Sequence, residues 1–169
     1  MNAALSNLLR RLCSRSRIVP SPSIQGILFD ECASAKVIRS FFKSSFPELA
    51  QVSVADIEMI GKPDFTLRGW AHASEYLVVT GDHGFTDQKG FCTNPASRYG
   101  VIFIHPGLRD RERVLKKFSK QIHDYVLGNS TRSTHYLCID YQGNLQSHPY
   151  GVSFHAVRRG LGNGCNHGI

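Results

Sequence analysis

Long hydrophobic runs are missing from this chain of 169 residues, of which 41% are hydrophobic and 20% are charged. No apolar segment approaches the roughly 20 residues that a helix needs to cross a bilayer, so we expect no membrane partner. The length suits one ordinary α/β domain with a core of its own and is short for two such domains.

Several motifs that mark common protein classes are missing as well. Five cysteines are present without a Cys-x-x-Cys pair, which leaves a zinc ribbon or a thioredoxin-type site unsupported. The chain contains none of the glycine-rich signatures of dinucleotide-binding proteins, P-loop nucleotide hydrolases or serine hydrolases. Its eight histidines show no ligand spacing such as His-x3-His.

Acidic residues are scarce, and none precedes Asp30. The chain has 20 Lys+Arg against 13 Asp+Glu, a net charge of +7, which favours polyanionic partners such as RNA, DNA or an acidic protein surface. The alternative is that the excess of Lys and Arg serves only to keep the protein soluble. Residues 1–23 are rich in Arg and Ser, which predicts a basic, partly helical or disordered extension, either a docking arm or an organellar transit peptide. We expect a domain over residues 24–155 and a flexible, Gly-rich tail over residues 156–169.

Strand and helix patterns alternate along the presumed domain. Continuous apolar runs and helical spacings predict strands at residues 24–29, 51–55, 76–80, 101–105 and 134–139, with helices at residues 33–42, 64–71 and 109–127. A turn at residues 141–144 leads to a short final strand. This alternation predicts an α/β fold, a three-layer α/β/α sandwich with a mostly parallel central sheet.

Four acids fall where these elements begin or end. Asp30 and Glu31 follow the first strand, Asp82 follows the third, and Asp64 opens a helix, where Asp is a good N-cap. Ligands of parallel sheets bind outside the carboxyl ends of the strands, and carboxylates that share such a site repel one another. A hard divalent ion, Mg²⁺ or Mn²⁺, would compensate this repulsion. Turn formation and helix capping are the alternative roles for each acid taken alone.

Two stretches carry a resemblance to a known family. The segments Ile27–Glu31 (ILFDE) and Val78–Phe85 (VVTGDHGF) flank an Asp that opens a helix ending in Ala, at Asp64 and Ala71. In this order the chain resembles the PIN-like nuclease superfamily, and most of all the small PIN-related nucleases of toxin–antitoxin type. The resemblance covers about residues 25–148, with its clearest motifs between 27 and 85.

The resemblance implies a site and a chemistry. Asp30, Asp64 and Asp82 would be the catalytic, metal-binding acids, and Glu31 would be the second acid of the first strand. The chain departs from the family at Gly84, where another Asp is common; Asp87 would then supply the missing carboxylate. A bound Mg²⁺ or Mn²⁺ polarises a phosphoryl oxygen and lowers the pKa of a water.

Residues beside the acids are candidates for the substrate side of the site, namely Thr80, His83, Lys89 and Arg98. Thr80 is expected to hydrogen-bond a ligating carboxylate from its strand end. Phe85 would either stack on a nucleotide base or anchor the loop to the core.

The predicted function is a divalent-metal-dependent endoribonuclease acting on single-stranded or structured RNA, with the toxin of a toxin–antitoxin pair as one setting. The alternative is a PIN-like module with a degraded site that binds RNA or protein without cleaving. A phosphotransfer domain with Asp30 as the phosphorylated residue fits less well, because no second Asp stands two residues further on. Expected partners are RNA, an antitoxin protein and a second copy of the chain, in the cytoplasm unless residues 1–23 target an organelle.

Overall fold

The structure, a computed structural model, describes residues 23–82, 85, 99–128 and 132–150. Within these residues, six strands form one sheet: β1 (Gly26–Phe29), β2 (Ala50–Ser53), β3 (Tyr76–Thr80), β4 (Val101–Ile104), β5 (His135–Ile139) and β6 (Leu145–Pro149). The described helices are α1 (Lys36–Ser45), α2 (Asp64–Ala73), α3 (Arg111–Lys117) and α4 (Ser119–Leu127), and a 3-10 turn spans Glu31–Ala33. The alternation predicted from the sequence is confirmed.

The sheet has the strand order β2-β1-β3-β4-β5-β6. Strands β1 to β5 are parallel, and β6 pairs antiparallel with β5. From β1 the chain passes to β2 on one side of the sheet and then returns to place β3 on the other side. The strand order therefore reverses between β1 and β3, and in open parallel sheets a crevice forms at the carboxyl ends of such a strand pair.

Alternate residues of the strands supply two separate cores. Helices α1, α3 and α4 pack on one face of the sheet, against side chains such as Phe29, Val79 and Ile102. Helix α2 packs on the other face, against Leu28 and Val78. Strands buried on both faces need continuous apolar sequence, which is the pattern the chain shows. The predicted three-layer α/β/α arrangement is confirmed.

Three predicted details differ from the structure. The helix predicted over residues 33–42 lies at Lys36–Ser45, because the chain first forms the 3-10 turn Glu31–Ala33. The single helix over residues 109–127 is two helices, α3 and α4, because the backbone at Phe118 leaves the helical region (φ −104°, ψ 16°) while its side chain packs on the core. Asp64 is the first residue of α2 and does not cap it, since the capping position is Pro63 and no side-chain cap hydrogen bond forms.

The predicted extension over residues 1–23 and the predicted tail over residues 156–169 lie outside the described residues, apart from Ser23. Within the described part of the chain, no helix combines the length and the apolar character that crossing a bilayer requires.

Candidate functional site

The carboxyl ends of β1 and β3 bring two of the predicted acids to one edge of the sheet. Phe29 lies opposite Val79 in the parallel register, and the Asp30 amide donates to the Val79 carbonyl at 3.0 Å. Asp30 therefore follows β1 at the level where Thr80 ends β3, and Asp82 comes two residues later. The strand order thus places both acids at the crevice expected from the topology.

Thr80 connects these two acids. Its hydroxyl Oγ1 donates to Oδ2 of Asp30 at 2.9 Å and accepts the backbone amide of Asp82 at 2.9 Å. Thr80 is fully buried, so contact with a substrate is not available to it. The hydrogen bond to a strand-end carboxylate that the sequence predicted is confirmed, and Thr80 fixes the position of Asp30 relative to Asp82.

Asp30 is a buried carboxylate with like charges around it. Burial raises its pKa; the hydrogen bonds from Thr80 and from the Glu31 amide oppose this rise, and the negative charges of Asp82 and Glu31 add to it. The net shift is upward. Burial and repulsion therefore outweigh the hydrogen bonds, so the ionised form of Asp30 lacks sufficient compensation in the folded chain.

Asp64 belongs to the same electrostatic group. Its pKa is raised first by burial and then by the charge of Asp82, with a smaller contribution from Asp30, while Arg68 lowers it. Asp64 makes no cap hydrogen bond, so helix capping does not explain its position. Three acids from distant parts of the sequence thus act on one another through space.

Cys32 lies within the electrostatic influence of all four acids. This free, exposed cysteine lies in the 3-10 turn that follows Asp30. Partial burial raises the pKa of its thiol, and so do the charges of Asp30, Asp82, Glu31 and Asp64. We refer to these four acids around Cys32 as the acidic pocket. The thiol is held protonated there, which disfavours its use as a nucleophile.

Glu31 has a structural partner of its own. Its carboxylate oxygen Oε1 accepts the backbone amide of Gly61 at 2.6 Å. This contact ties the turn after β1 to the segment that leads into α2, whose first residue is Asp64. Glu31 therefore helps to hold Asp64 near Asp30, besides contributing negative charge to the acidic pocket.

Arg68 was not predicted from the sequence as part of the site. It is buried on α2 one turn after Asp64, donates through Nε to the Asp64 carbonyl at 3.3 Å, and lies 5.9 Å from the centre of the Phe85 ring. Burial lowers its pKa and the charge of Asp64 raises it. The spacing i, i+4 of an acid and an Arg was the available signal.

Gly81 allows the two strand ends to approach. A Cβ atom at this position would lie 3.0 Å from Cβ of Cys32 and 3.2 Å from the Ile104 carbonyl oxygen. Any larger residue would push the segment carrying Asp82 away from the turn that carries Asp30. Gly81 was not predicted to belong to the site, although a glycine between Thr80 and Asp82 is a signal of a close backbone approach.

Within the described residues, no ion pair joins Asp30 or Asp64 to a Lys or Arg. In the same part of the chain, no three His, Cys, Asp or Glu side chains are close enough together to hold a metal ion as they stand. Asp30 is buried, Asp82 is exposed and Asp64 is partly exposed. Because the described acids do not stand close enough together to hold an ion, side chains would have to move for an ion to bind. Carboxylate donors in mutual repulsion fit a hard divalent cation chemically.

Several predicted site residues lie outside the described residues: His83, Gly84, Asp87, Lys89 and Arg98. Phe85 is described and is buried against α2, so the stacking role is wrong for it and the anchoring role is confirmed. The chain matches no protein-family model, no curated protein and no solved structure. The resemblance to the PIN-like superfamily therefore stays a prediction.

Proposed function

We propose that the chain is a PIN-like, divalent-metal-dependent endoribonuclease with its active site at the acidic pocket. The observation that supports this proposal best is the mutual repulsion of Asp30, Asp64 and Asp82 at the β1/β3 crevice, with no ion pair to Asp30 or Asp64 among the described residues. A positive ion is the simplest compensation for such a group.

Asp30, Asp64 and Asp82 would hold Mg²⁺ or Mn²⁺, and the ion would supply Lewis-acid polarisation of a phosphodiester together with a water of lowered pKa. Asp30 would be the ligand held in place before the ion binds, because Thr80 orients one of its oxygens. Asp64 on α2 and Asp82 after β3 would be the other two ligands. Asp87, which lies outside the described residues, is the further acid suggested by the resemblance.

The first prediction concerns cleavage. Asp30→Asn and Asp82→Asn should each reduce Mn²⁺-dependent cleavage of single-stranded RNA by more than about 100-fold, since even loss of a ligand's hydrogen-bond partner costs 10- to 100-fold. The folded variants should be at least as stable as the wild type, because each substitution relieves repulsion. Glu58→Gln, an exposed acid at a turn, is the control and should leave cleavage unchanged. Cleavage that persists in EDTA or in Asp30→Asn would reject the mechanism.

One observation favours a second function. Because no metal-binding triplet stands ready among the described residues and Gly84 replaces a common acid, the domain fits a PIN-like module that binds RNA or a partner protein without cleaving it. This module would bind RNA with an affinity that falls as salt rises, and it would show no metal-dependent cleavage. Measurements of RNA binding and of metal-dependent cleavage therefore distinguish the binding module from the nuclease. An antitoxin partner and self-association belong to either proposal.

A further inference from the structure

A second surface of the molecule is basic rather than acidic. A groove of about 470 Å³ runs between α1 and the edge strand β2. Its charged lining residues are Lys36, Arg39 and Lys43, with Ser34, Ser40 and Gln51 beside them and no acid. We call this surface the α1 groove. The charged residues that line the α1 groove are therefore all positive, opposite in sign to the acidic pocket.

The cations of the α1 groove form a row. Lys36, Arg39 and Lys43 are spaced i, i+3 and i+7 on one face of α1, and the seven steps along the helix from Lys36 to Lys43 rise about 10 Å. The opposite face carries Ile38 and Phe42, which are buried in the core. The helix is therefore anchored by its apolar face, and its row of charges faces solvent in a fixed direction.

These charges are available to a ligand. Within the described residues, Lys36 and Lys43 form no ion pair. Arg39 pairs with Asp56 at 3.6 Å, and both side chains are nearly half exposed, so the pair contributes little. Asp56 already accepts the amide and hydroxyl of Ser53 at 2.7 and 2.8 Å, and these bonds lower its pKa. Asp56 therefore keeps its partner in Ser53 if Arg39 turns toward an anion.

The α1 groove begins beside the acidic pocket. Strands β1 and β2 are parallel, so the helix between them runs back along the sheet and starts at the edge where β1 ends. Ser34 lines the groove at this end, and its hydroxyl donates to the Glu31 carbonyl at 2.8 Å. The row of cations thus leads away from the acids, from Lys36 at the site edge to Lys43.

We propose that the α1 groove binds the sugar–phosphate backbone of an RNA strand whose adjacent nucleotides lie at the acidic pocket. The acidic pocket repels phosphates, so affinity for a polyanion must come from cations outside it. The row on α1 starts at Lys36, shortly after the turn that carries Glu31. The hydroxyls of Ser34 and Ser40 and the amide of Gln51 add hydrogen-bonding groups for phosphate and ribose oxygens. The choice of RNA as the polyanion rests on the proposed function.

The test is binding of the full chain to a labelled single-stranded RNA of about 12 nucleotides, followed by fluorescence anisotropy. EDTA is present throughout, so neither metal nor cleavage contributes. Lys36→Gln/Lys43→Gln should weaken binding and reduce the slope of log K against log salt by about 1.4, two phosphate contacts on a single strand. The control Lys117→Gln/Lys120→Gln removes the same charge from exposed positions outside the groove and should leave the slope unchanged. All four positions are exposed and helical, and Gln is a good helix former, so folding should be preserved.

Equal effects of the two double variants would overturn the proposal, because net charge alone would then explain binding. Wild-type chain that does not bind RNA would also overturn it, as would a polyglutamate of equal charge that competes as well as RNA, since the groove would then fit an acidic protein. Binding that depends on Lys36 and Lys43 without any metal-dependent cleavage would reject the nuclease and keep the groove. Metal-dependent cleavage that these substitutions leave unchanged would keep the nuclease and reject the groove.

Discussion

At the scale of single residues, Thr80 holds Asp30 and Asp82 in position through two hydrogen bonds. Thr80→Val keeps the shape of the side chain but removes the donor to Asp30 and the acceptor for the Asp82 amide. We expect Mn²⁺ affinity, measured by calorimetry, to fall by about 10- to 100-fold, the usual cost of losing a partner behind a metal ligand. Thr80→Ser retains the hydroxyl and should stay close to the wild type. Equal affinity of the Val variant and the wild type would show that Thr80 does not position a ligand.

A substitution at Gly81 tests the close approach of the β3 end to Cys32 and Ile104, rather than a hydrogen bond. Gly81→Ala places a Cβ against Cys32 and the Ile104 carbonyl, so the segment bearing Asp82 must shift. We expect a loss of about 1–3 kcal/mol in the free energy of unfolding in urea, typical of overpacking, together with weaker Mn²⁺ binding.

Gly69 provides the matched control for this substitution. It lies exposed within α2, and a Cβ there meets nothing within 4 Å. Gly69→Ala should therefore raise the free energy of unfolding by about 0.5–1 kcal/mol through helix propensity, and Mn²⁺ binding should not change. If both alanine variants behaved alike, the close approach at Gly81 would not be a constraint on the site.

Some residues of the site could be predicted from their neighbours in the sequence, and others could not. Asp30 and Asp82 were predictable, because they stand one and two residues after apolar runs that form neighbouring parallel strands. Arg68 and Gly81 were not selected, since their roles depend on which side chains the fold brings near them. Glu31 was predicted only as an acid, and its bond to Gly61 joins residues 30 positions apart, a distance that no local pattern covers.

At the scale of elements, strands buried on both faces were the most predictable. Tyr76–Thr80 has the predicted bounds, and the other strands differ by one or two residues at their ends. The division of the segment 109–127 into α3 and α4 was not predictable, because Phe118 has the apolar spacing of a continuous helix. Packing of its side chain on the core, rather than helix propensity, decides the backbone there.

His148 on β6 predicts that the stability of the fold depends on pH. His148 on β6 is buried beside Tyr136, and burial lowers its pKa below 6.5, with a further reduction from the charge of His135. The unfolded chain takes up this proton first as pH falls, so stability present above pH 6.5 is lost as pH drops from there through the folded-state pKa of His148.

His148→Gln should remove this dependence. In urea unfolding, the wild type should lose more stability than the variant as the pH is lowered from about 7.5 through the unfolded-state pKa of about 6.5. The comparison of slopes matters more than the absolute stability, because Gln also changes the packing against Tyr136. Parallel curves for the two proteins would mean that protonation of His148 is not linked to folding.

For the whole molecule, the distribution of charge is the property that the proposals share. The chain is basic overall, at +7, yet the negative charges of four of its 13 acids act together on Cys32, in the turn after β1. The alternating pattern predicted the fold, which is confirmed, whereas the polyanionic partner that composition predicts stays a prediction. Neither predicted that the α1 groove would begin beside the acidic pocket, because that neighbourhood follows from the parallel pairing of β1 and β2.

A divalent cation should therefore stabilise the whole fold. At about 100 times its dissociation constant, Mn²⁺ should add about 2.7 kcal/mol to the free energy of unfolding, a rise of roughly 5–10 °C in Tm for a chain of this size. NaCl at matched ionic strength should give a much smaller rise, since it only screens the repulsion among Asp30, Asp64 and Asp82. Asp30→Asn/Asp82→Asn should begin at a higher Tm without metal, because its repulsion is already relieved, and should gain almost nothing from Mn²⁺. Equal responses of the wild type and this double variant to Mn²⁺ would mean that the ion binds elsewhere, and the acidic pocket would then need another explanation for its charge.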